Sequence, residues 1–188
     1  AKMIGYEGLE KGTRSAVHLE CRTEDGELVN EQFVTIFVRG FDAGRSVGEL
    51  SPAHKFDDRL RDQAPSAKVV AHVDNDQTFR YAEASGDPMP IHLDEEIAQS
   101  AGLPGIIAHG LCTMAMTSWA VLTEVGGSDA PRLRRFAVRF AKMVFPGDDL
   151  ETRIWKTGSH GGITSYAFAT TRGEDFVITD GLAEIGEA

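Results

Sequence analysis

The sequence predicts an α+β fold in which an antiparallel sheet wraps around a long central helix. The first observation behind this is residues 111–125, the most apolar long segment. It carries Leu111, Met114, Ala115, Trp119 and Leu122 with hydroxyl residues between them and no charge before Glu124, the pattern of a helix buried nearly all round. The second is the stretch after it, where residues 135–140, 150–157, 163–170 and 176–185 alternate as strands. Turn chemistry separates those strands at Pro146-Gly147-Asp148-Asp149, His160-Gly161-Gly162 and Arg172-Gly173-Glu174-Asp175. One long apolar helix followed by consecutive strands suggests a sheet curled around that helix.

The earlier elements follow from local pattern. In residues 14–22, Ser15, Val17, Leu19 and Cys21 alternate with Ala16, His18, Glu20 and Arg22, the period of a half-buried strand. Asp25-Gly26 marks a hairpin turn, and the β-branched and aromatic run 33–38 reads as the returning strand. Residues 41–67 show no sustained apolar period and read as a surface linker, partly disordered at that length. A short strand at 69–73 comes next, then a helix over 77–85 ended by Gly86-Asp87-Pro88, and a second short helix over 94–101.

Composition narrows the functions available. The 188 residues, 41% hydrophobic, suffice for one or two compact cores. A formal charge of −10 leaves no basic surface for a phosphate backbone or an anionic membrane, so neither nucleic acid nor membrane is expected as a partner. The longest uncharged run, 106–123, contains His109, Gly110 and several hydroxyls and fits a buried helix better than a membrane span. Two cysteines, Cys21 and Cys112, make no disulfide framework, and with no secretory leader or lipidation signal the expected compartment is the cytoplasm or an organelle matrix.

The chemistry is expected where polar groups are held stiffly beside the central helix. Tyr81-Ala-Glu-Ala-Ser-Gly-Asp-Pro-Met-Pro-Ile-His-Leu-Asp94 has that character, because Pro88 and Pro90 restrict their own φ and push Asp87 and Met89 towards extended geometry. Fully extended, the steps from Asp87 to His92 span roughly 17 Å, so the loop has to bend for both side chains to meet one water. A carboxylate and an imidazole, with reference pKa values of about 3.9 and 6.5, suit the addition of water to a double bond conjugated to a thioester. That reaction needs a base for the water, a proton donor for the α-carbon and stabilisation of the enolate oxygen. Gly110, at the start of the central helix, is placed to offer an unpaired N–H to that oxygen.

At these residues the sequence resembles the MaoC-like dehydratase family, which includes the R-specific enoyl-CoA hydratases, also called hydratase 2. Ser85-Gly86-Asp87-Pro88-Met89-Pro90-Ile91-His92-Leu93-Asp94 matches the family's Gly-Asp-x-Asn-Pro-(aliphatic)-His-x-Asp signature, and Ile107-Ala108-His109-Gly110-Leu111 matches its second block. Residues 138–148 look like the family's strand and turn, so the match extends over 68–185. The resemblance implies a hot-dog fold and interconversion of trans-2-enoyl and (R)-3-hydroxyacyl thioesters. Asp87 and His92 would be the pair that activates water, Gly110 an oxyanion N–H, and Ser118 a supporting hydroxyl touching the histidine. Tyr81, Met89, His109 and Leu111 would line the substrate. No cofactor is implied beyond the coenzyme A or acyl carrier that forms part of the substrate. Where Met89 stands the family usually has asparagine, and a thioether has neither an amide's donors nor its acceptor.

The run Phe33-Val-Thr-Ile-Phe-Val-Arg-Gly40 looks like the final strand of the first repeat in the family's two-repeat members. The resulting division is a partial hot-dog repeat over 1–40, a linker over 41–67 and a catalytic domain over 68–188, with the front of the first repeat missing by truncation or cleavage. A homodimer or a pseudo-dimer of repeats is expected, because a lone sheet exposes an edge strand.

Several other readings compete. Taken alone, Gly-Asp-Pro is a turn, His109 a structural histidine at a helix start, Cys112 a core thiol rather than a nucleophile, and Ser118 a helix hydroxyl bonding its own backbone. A metal set of Asp87, His92 and Asp94 matches no strong ligand spacing. A silent hot-dog module that binds acyl groups is the rival to an enzyme, with a thioesterase as a third option. Asp57-Asp58-Arg59 and Glu95-Glu96 read as solvated charge.

Overall fold

A computed structural model describes residues 1–187. The chain divides into two compact units, Ala1–Ala53 and His54–Ala188, so the division falls inside the stretch 41–67 expected to be a linker.

The first unit is a four-stranded antiparallel sheet in the order β3-β2-β1-β4, built from β1 (Lys2–Leu9), β2 (Gly12–Arg22), β3 (Leu28–Arg39) and β4 (Ser46–Gly48). The hairpin expected at Asp25-Gly26 joins β2 to β3, with Gly26 at positive φ donating to the Thr23 carbonyl. β2 is less one-sided than its alternation suggested. Val17 and Leu19 are only half-buried, whereas Ala16, on the opposite face, is fully buried. β1 and β4 carried no strand signal because glycines interrupt them. Gly5 has no side chain for a packing reason: a Cβ there would lie 2.2 Å from the Glu49 carbonyl oxygen, where the chain around β4 crosses it. Every residue of β3 is exposed.

The second unit holds β5 (Ala67–His72), α1 (Gln77–Ser85), α2 (Glu95–Ser100), α3 (Gly110–Val125), β6 (Leu133–Phe140), β7 (Asp149–His160), β8 (Ile163–Arg172) and β9 (Asp175–Gly186). Its sheet is antiparallel throughout, in the order β5-β7-β8-β9-β6. The three expected breaks are where the sequence put them. β7 turns into β8 through Gly161-Gly162, both at positive φ, and β8 into β9 through Gly173-Glu174. α3 lies on β5, β6, β7 and β9, and the core between helix and sheet is Val121, Ile154, Phe168, Ile178, Ala183 and Ile185. This is the hot-dog arrangement, a long helix held by one antiparallel sheet.

α3 is not buried all round. Cys112, Thr113, Thr117, Ala120 and Val121 face the sheet, whereas Leu111 is 63% and Trp119 55% exposed, with Ala115 on the same stripe. A helix resting on one sheet is covered along one stripe only, and an apolar sequence does not say what meets the other. Hydroxyls on the covered side have partners: Thr117 bonds Thr170 at 3.1 Å, and Thr170 bonds Thr152 at 2.9 Å. These three threonines therefore link helix to sheet with their hydroxyls paired.

Residues 54–66 are also ordered by packing. Phe56 is buried edge-on against Trp155, its N–H donates to Asp180 Oδ1 at 3.0 Å, and the Trp155 indole donates to the Gln63 carbonyl at 3.0 Å. The stretch carried no period because one short 3-10 turn, Asp58–Asp62, is its only regular element, and Phe56 and Leu60 are its anchors. Among the described residues no helix is long and apolar enough to cross a membrane.

Candidate active site

The proline loop begins at the end of α1. Gly86 closes that helix in the left-handed region, φ 70°, and the Asp87 N–H donates back to the Ala82 carbonyl at 3.2 Å. Asp87 then leads an exposed turn whose Oδ1 accepts from the Met89 N–H at 3.3 Å. The required bend is a 3-10 turn over Pro90–His92, in which the His92 N–H donates to the Met89 carbonyl at 3.0 Å. The turn doubles the loop back on itself, and a carboxylate oxygen of Asp87 and a ring nitrogen of His92 come within 4.8 Å of each other. Two hydrogen bonds of about 2.8 Å to one tetrahedral water span roughly 4.6 Å, so the pair fits a shared water.

His92 is 8% exposed and held in one tautomer. Its Nδ1 lies 2.7 Å from the Ile107 carbonyl; a carbonyl only accepts, so Nδ1 carries the proton and Nε2 presents its lone pair. The segment that supplies this carbonyl is itself pinned. Ile106 N–H donates to Glu95 Oε2 at 3.0 Å, and Ala108 N–H to the Val144 carbonyl at 2.7 Å. Glu95, read as solvated charge, thus anchors the loop that orients His92. A carboxylate opening a helix next to another acid gave no sequence signal for this.

His109, expected to line the substrate, is the N-cap of α3 and only 2% exposed, packed against Asp87, His92 and Tyr81. Its ring stacks on His92 at 3.8 Å and 26°, tilts against Tyr81 at 5.0 Å, and its Nε2 lies 3.0 Å from the Asp87 carbonyl. Its Nδ1 is buried without a partner. Gly110 and Leu111 follow at the exposed start of α3, while the N–H groups of Cys112 and Thr113 turn back to the His109 carbonyl. The Phe140 ring stands beside Gly110, 3.5 Å from where a Cβ would sit.

Ser118 does not touch the histidine. Its hydroxyl donates to the Ala115 carbonyl at 2.8 Å, about 12 Å along the helix from Gly110, which is ordinary back-bonding of a helical serine. Asp94 is not aimed at the pair either, since it caps α2 by accepting from the Ile97 N–H at 2.9 Å. Asp87, His92 and His109 each offer a ligand atom within 4.8 Å of the others, but two stacked imidazoles send their in-plane lone pairs side by side rather than to one point. Burial pushes the Cys112 thiol up, with a bond to Gln77 and the charge of Arg80 opposing it, so it is a core thiol and a poor nucleophile. Burial also raises the Tyr81 phenol, with Cys112 and Asp87 adding to the effect.

The family model described as a MaoC like domain matches residues 58–176. A Mycobacterium tuberculosis protein named 3-hydroxyacyl-thioester dehydratase Y is 37% identical over 168 residues, covering 87% of this chain and 56% of that protein. A Dictyostelium discoideum protein named probable enoyl-CoA hydratase 2 is 32% identical over 181 residues, covering 94% of this chain and 60% of that protein. Among solved structures, a MaoC-like dehydratase from Phytophthora capsici superposes with a TM-score of 0.89 at 28% identity, over all of this chain and 63% of that one. The chain therefore spans roughly three-fifths of the length of these relatives.

Proposed function

The chain belongs to the MaoC-like domain family, and from that premise we propose that it interconverts trans-2-enoyl and (R)-3-hydroxyacyl thioesters, acyl-CoA above all. The observation that carries this reading is the convergence of Asp87 and His92 on the space of one water beside the start of α3. In hydration, the pair takes a proton from that water while its oxygen bonds to the β-carbon, and a proton is returned to the α-carbon. The enolate oxygen that forms meanwhile lies against the Gly110 N–H, where a helix N-terminus favours negative charge. Dehydration runs the same steps backwards.

Met89 in place of asparagine is the feature that speaks for a silent module, and its weight is reduced by how residue 89 is used. Residue 89 holds the pair by its main chain, N–H to Asp87 and carbonyl to His92, so the thioether in place of an amide leaves these bonds intact. The reaction needs no metal or organic cofactor, since each proton moves between side chains and substrate. A reducing compartment, cytoplasm or peroxisomal matrix, suits the two free cysteines.

The domain reading extends to the first unit, taken as part of a second hot-dog repeat. Its β1, β2 and β3 succeed one another by hairpins as β7, β8 and β9 do, and β3 offers the edge that β6 covers on β9. A second repeat, or a second copy in a homodimer, would meet the need such an edge creates.

The test is loss of the conjugated ultraviolet absorbance of crotonyl-CoA or a longer enoyl-CoA, with no free thiol released and no sensitivity to chelator. Asp87→Asn and His92→Gln are each expected to abolish the loss. Unchanged turnover in both rejects the assignment, and thiol release points to a thioesterase.

A further inference from the structure

We propose that His109 is a positioning residue that sets Asp87 against His92 and ties both to the start of α3; the inference rests on the hydratase reading above. A single ring makes all the contacts this requires. Its Nε2–H donates to the Asp87 main-chain carbonyl at 3.0 Å, its face carries the His92 ring at 3.8 Å, and Tyr81 packs against it at 5.0 Å. At 2% exposure it reaches no substrate, so it acts through the groups it holds.

The need for such a tie follows from the loop. Asp87 lies on an exposed turn, held locally by its N–H on the Ala82 carbonyl and by the Met89 N–H on its own carboxylate. The bond from His109 crosses 22 residues and joins this turn to α3, whose next residue is Gly110. Base, imidazole and oxyanion N–H are therefore referred to one side chain.

The capping pattern agrees. An N-cap side chain ordinarily accepts from the N–H groups of its own helix, yet His109 makes no cap bond and directs its donor to Asp87 instead. A serine or aspartate there would cap the helix and drop the tie. Donation to a carbonyl places the hydrogen on Nε2 and leaves Nδ1 bare, and Nδ1 is buried with no partner, an unmet acceptor that tertiary packing has to offset.

Two variants separate the donor from the ring. His109→Phe keeps an aromatic body for His92 and Tyr81 but cannot donate, whereas His109→Gln places an N–H near the Nε2 position without the ring. With crotonyl-CoA, His109→Phe is expected to lose about 10²-fold in kcat with KM little changed, as a misplacement of about 1 Å does. His109→Gln is expected to recover kcat to within about tenfold of the native value. Nitrogen-15 NMR of the native protein, a readout independent of turnover, is expected to show His109 as the neutral Nε2–H tautomer. Native kcat in a folded His109→Phe protein overturns the proposal, as does a raised KM at unchanged kcat, an equal loss in folded His109→Gln, or an Nδ1–H tautomer. If His109→Phe fails to fold by circular dichroism, the glutamine variant and the tautomer decide. If the native chain does not turn over the substrate, the hydratase reading fails, while the tautomer still tests the tie to Asp87.

Discussion

Residue 89 shows how a side-chain change can leave a site standing. Its N–H orients the Asp87 carboxylate and its carbonyl receives the His92 N–H, so the two functional groups are joined through the main chain of the residue that departs from the family signature. Gly110 is different, because on the proposed reading it is the main-chain N–H that acts and a side chain would stand beside it. An added Cβ would meet only the Phe140 ring at 3.5 Å, ordinary contact, and Gly110 is not at positive φ. Gly110→Ala keeps the N–H but adds a methyl group beside it, so it is expected to fold with an unchanged thermal midpoint yet lose roughly 10²-fold in kcat/KM, because the methyl holds the enolate oxygen off that N–H. A large drop in the midpoint would instead assign the glycine to packing. At this scale much was legible: Asp87, His92 and Gly110 lie in short blocks whose prolines, glycine and helix start are local signals. Glu95 was not, because its partner Ile106 is reached only through the fold.

Among the elements, α3 and the 54–66 segment depart most from expectation, and both for the same reason. Apolar content predicts that a surface is covered, but not by what. α3 leaves Leu111 and Trp119 open, while a stretch with almost no apolar residues is held by Phe56 against Trp155. Phe56→Ala is expected to cost about 3 kcal/mol of unfolding free energy, the typical lower figure for removing a buried aromatic ring. Equilibrium denaturation measures it, and a loss under about 0.5 kcal/mol would mean that the segment is a surface strap rather than part of the core. Asp180, at positive φ with its side chain on the Phe56 N–H, is the matching feature on β9, and nothing in the order of residues pairs positions 56 and 180.

For the molecule as a whole, the two units differ in how complete their cores are. The second has cores drawn from its helix, its sheet and the segments between them, whereas the first has a sheet with one strand exposed throughout and Ala16 as its buried apolar centre. Residues 54–188 produced alone are accordingly expected to unfold in one cooperative denaturant transition. A broad, non-cooperative transition would show that this core depends on residues 1–53. The strand order of the second unit was foreseen only as a curled sheet, because hairpin signals identify neighbours in sequence, such as β7 and β8, but not the partner of an edge strand that arrives from far away.

By itself the sequence determined the strands and helices of the second unit, its turns, and the loop that carries Asp87 and His92. Each of these is written in a few consecutive residues, where propensity, proline restriction and helix capping act over short range. The tertiary structure alone decided that His109 faces inward to hold Asp87 and His92, that Ser118 bonds its own helix, and that Phe56 closes on Trp155. Those outcomes depend on which surfaces meet, and burial and hydrogen bonding between distant residues are settled only when the chain packs.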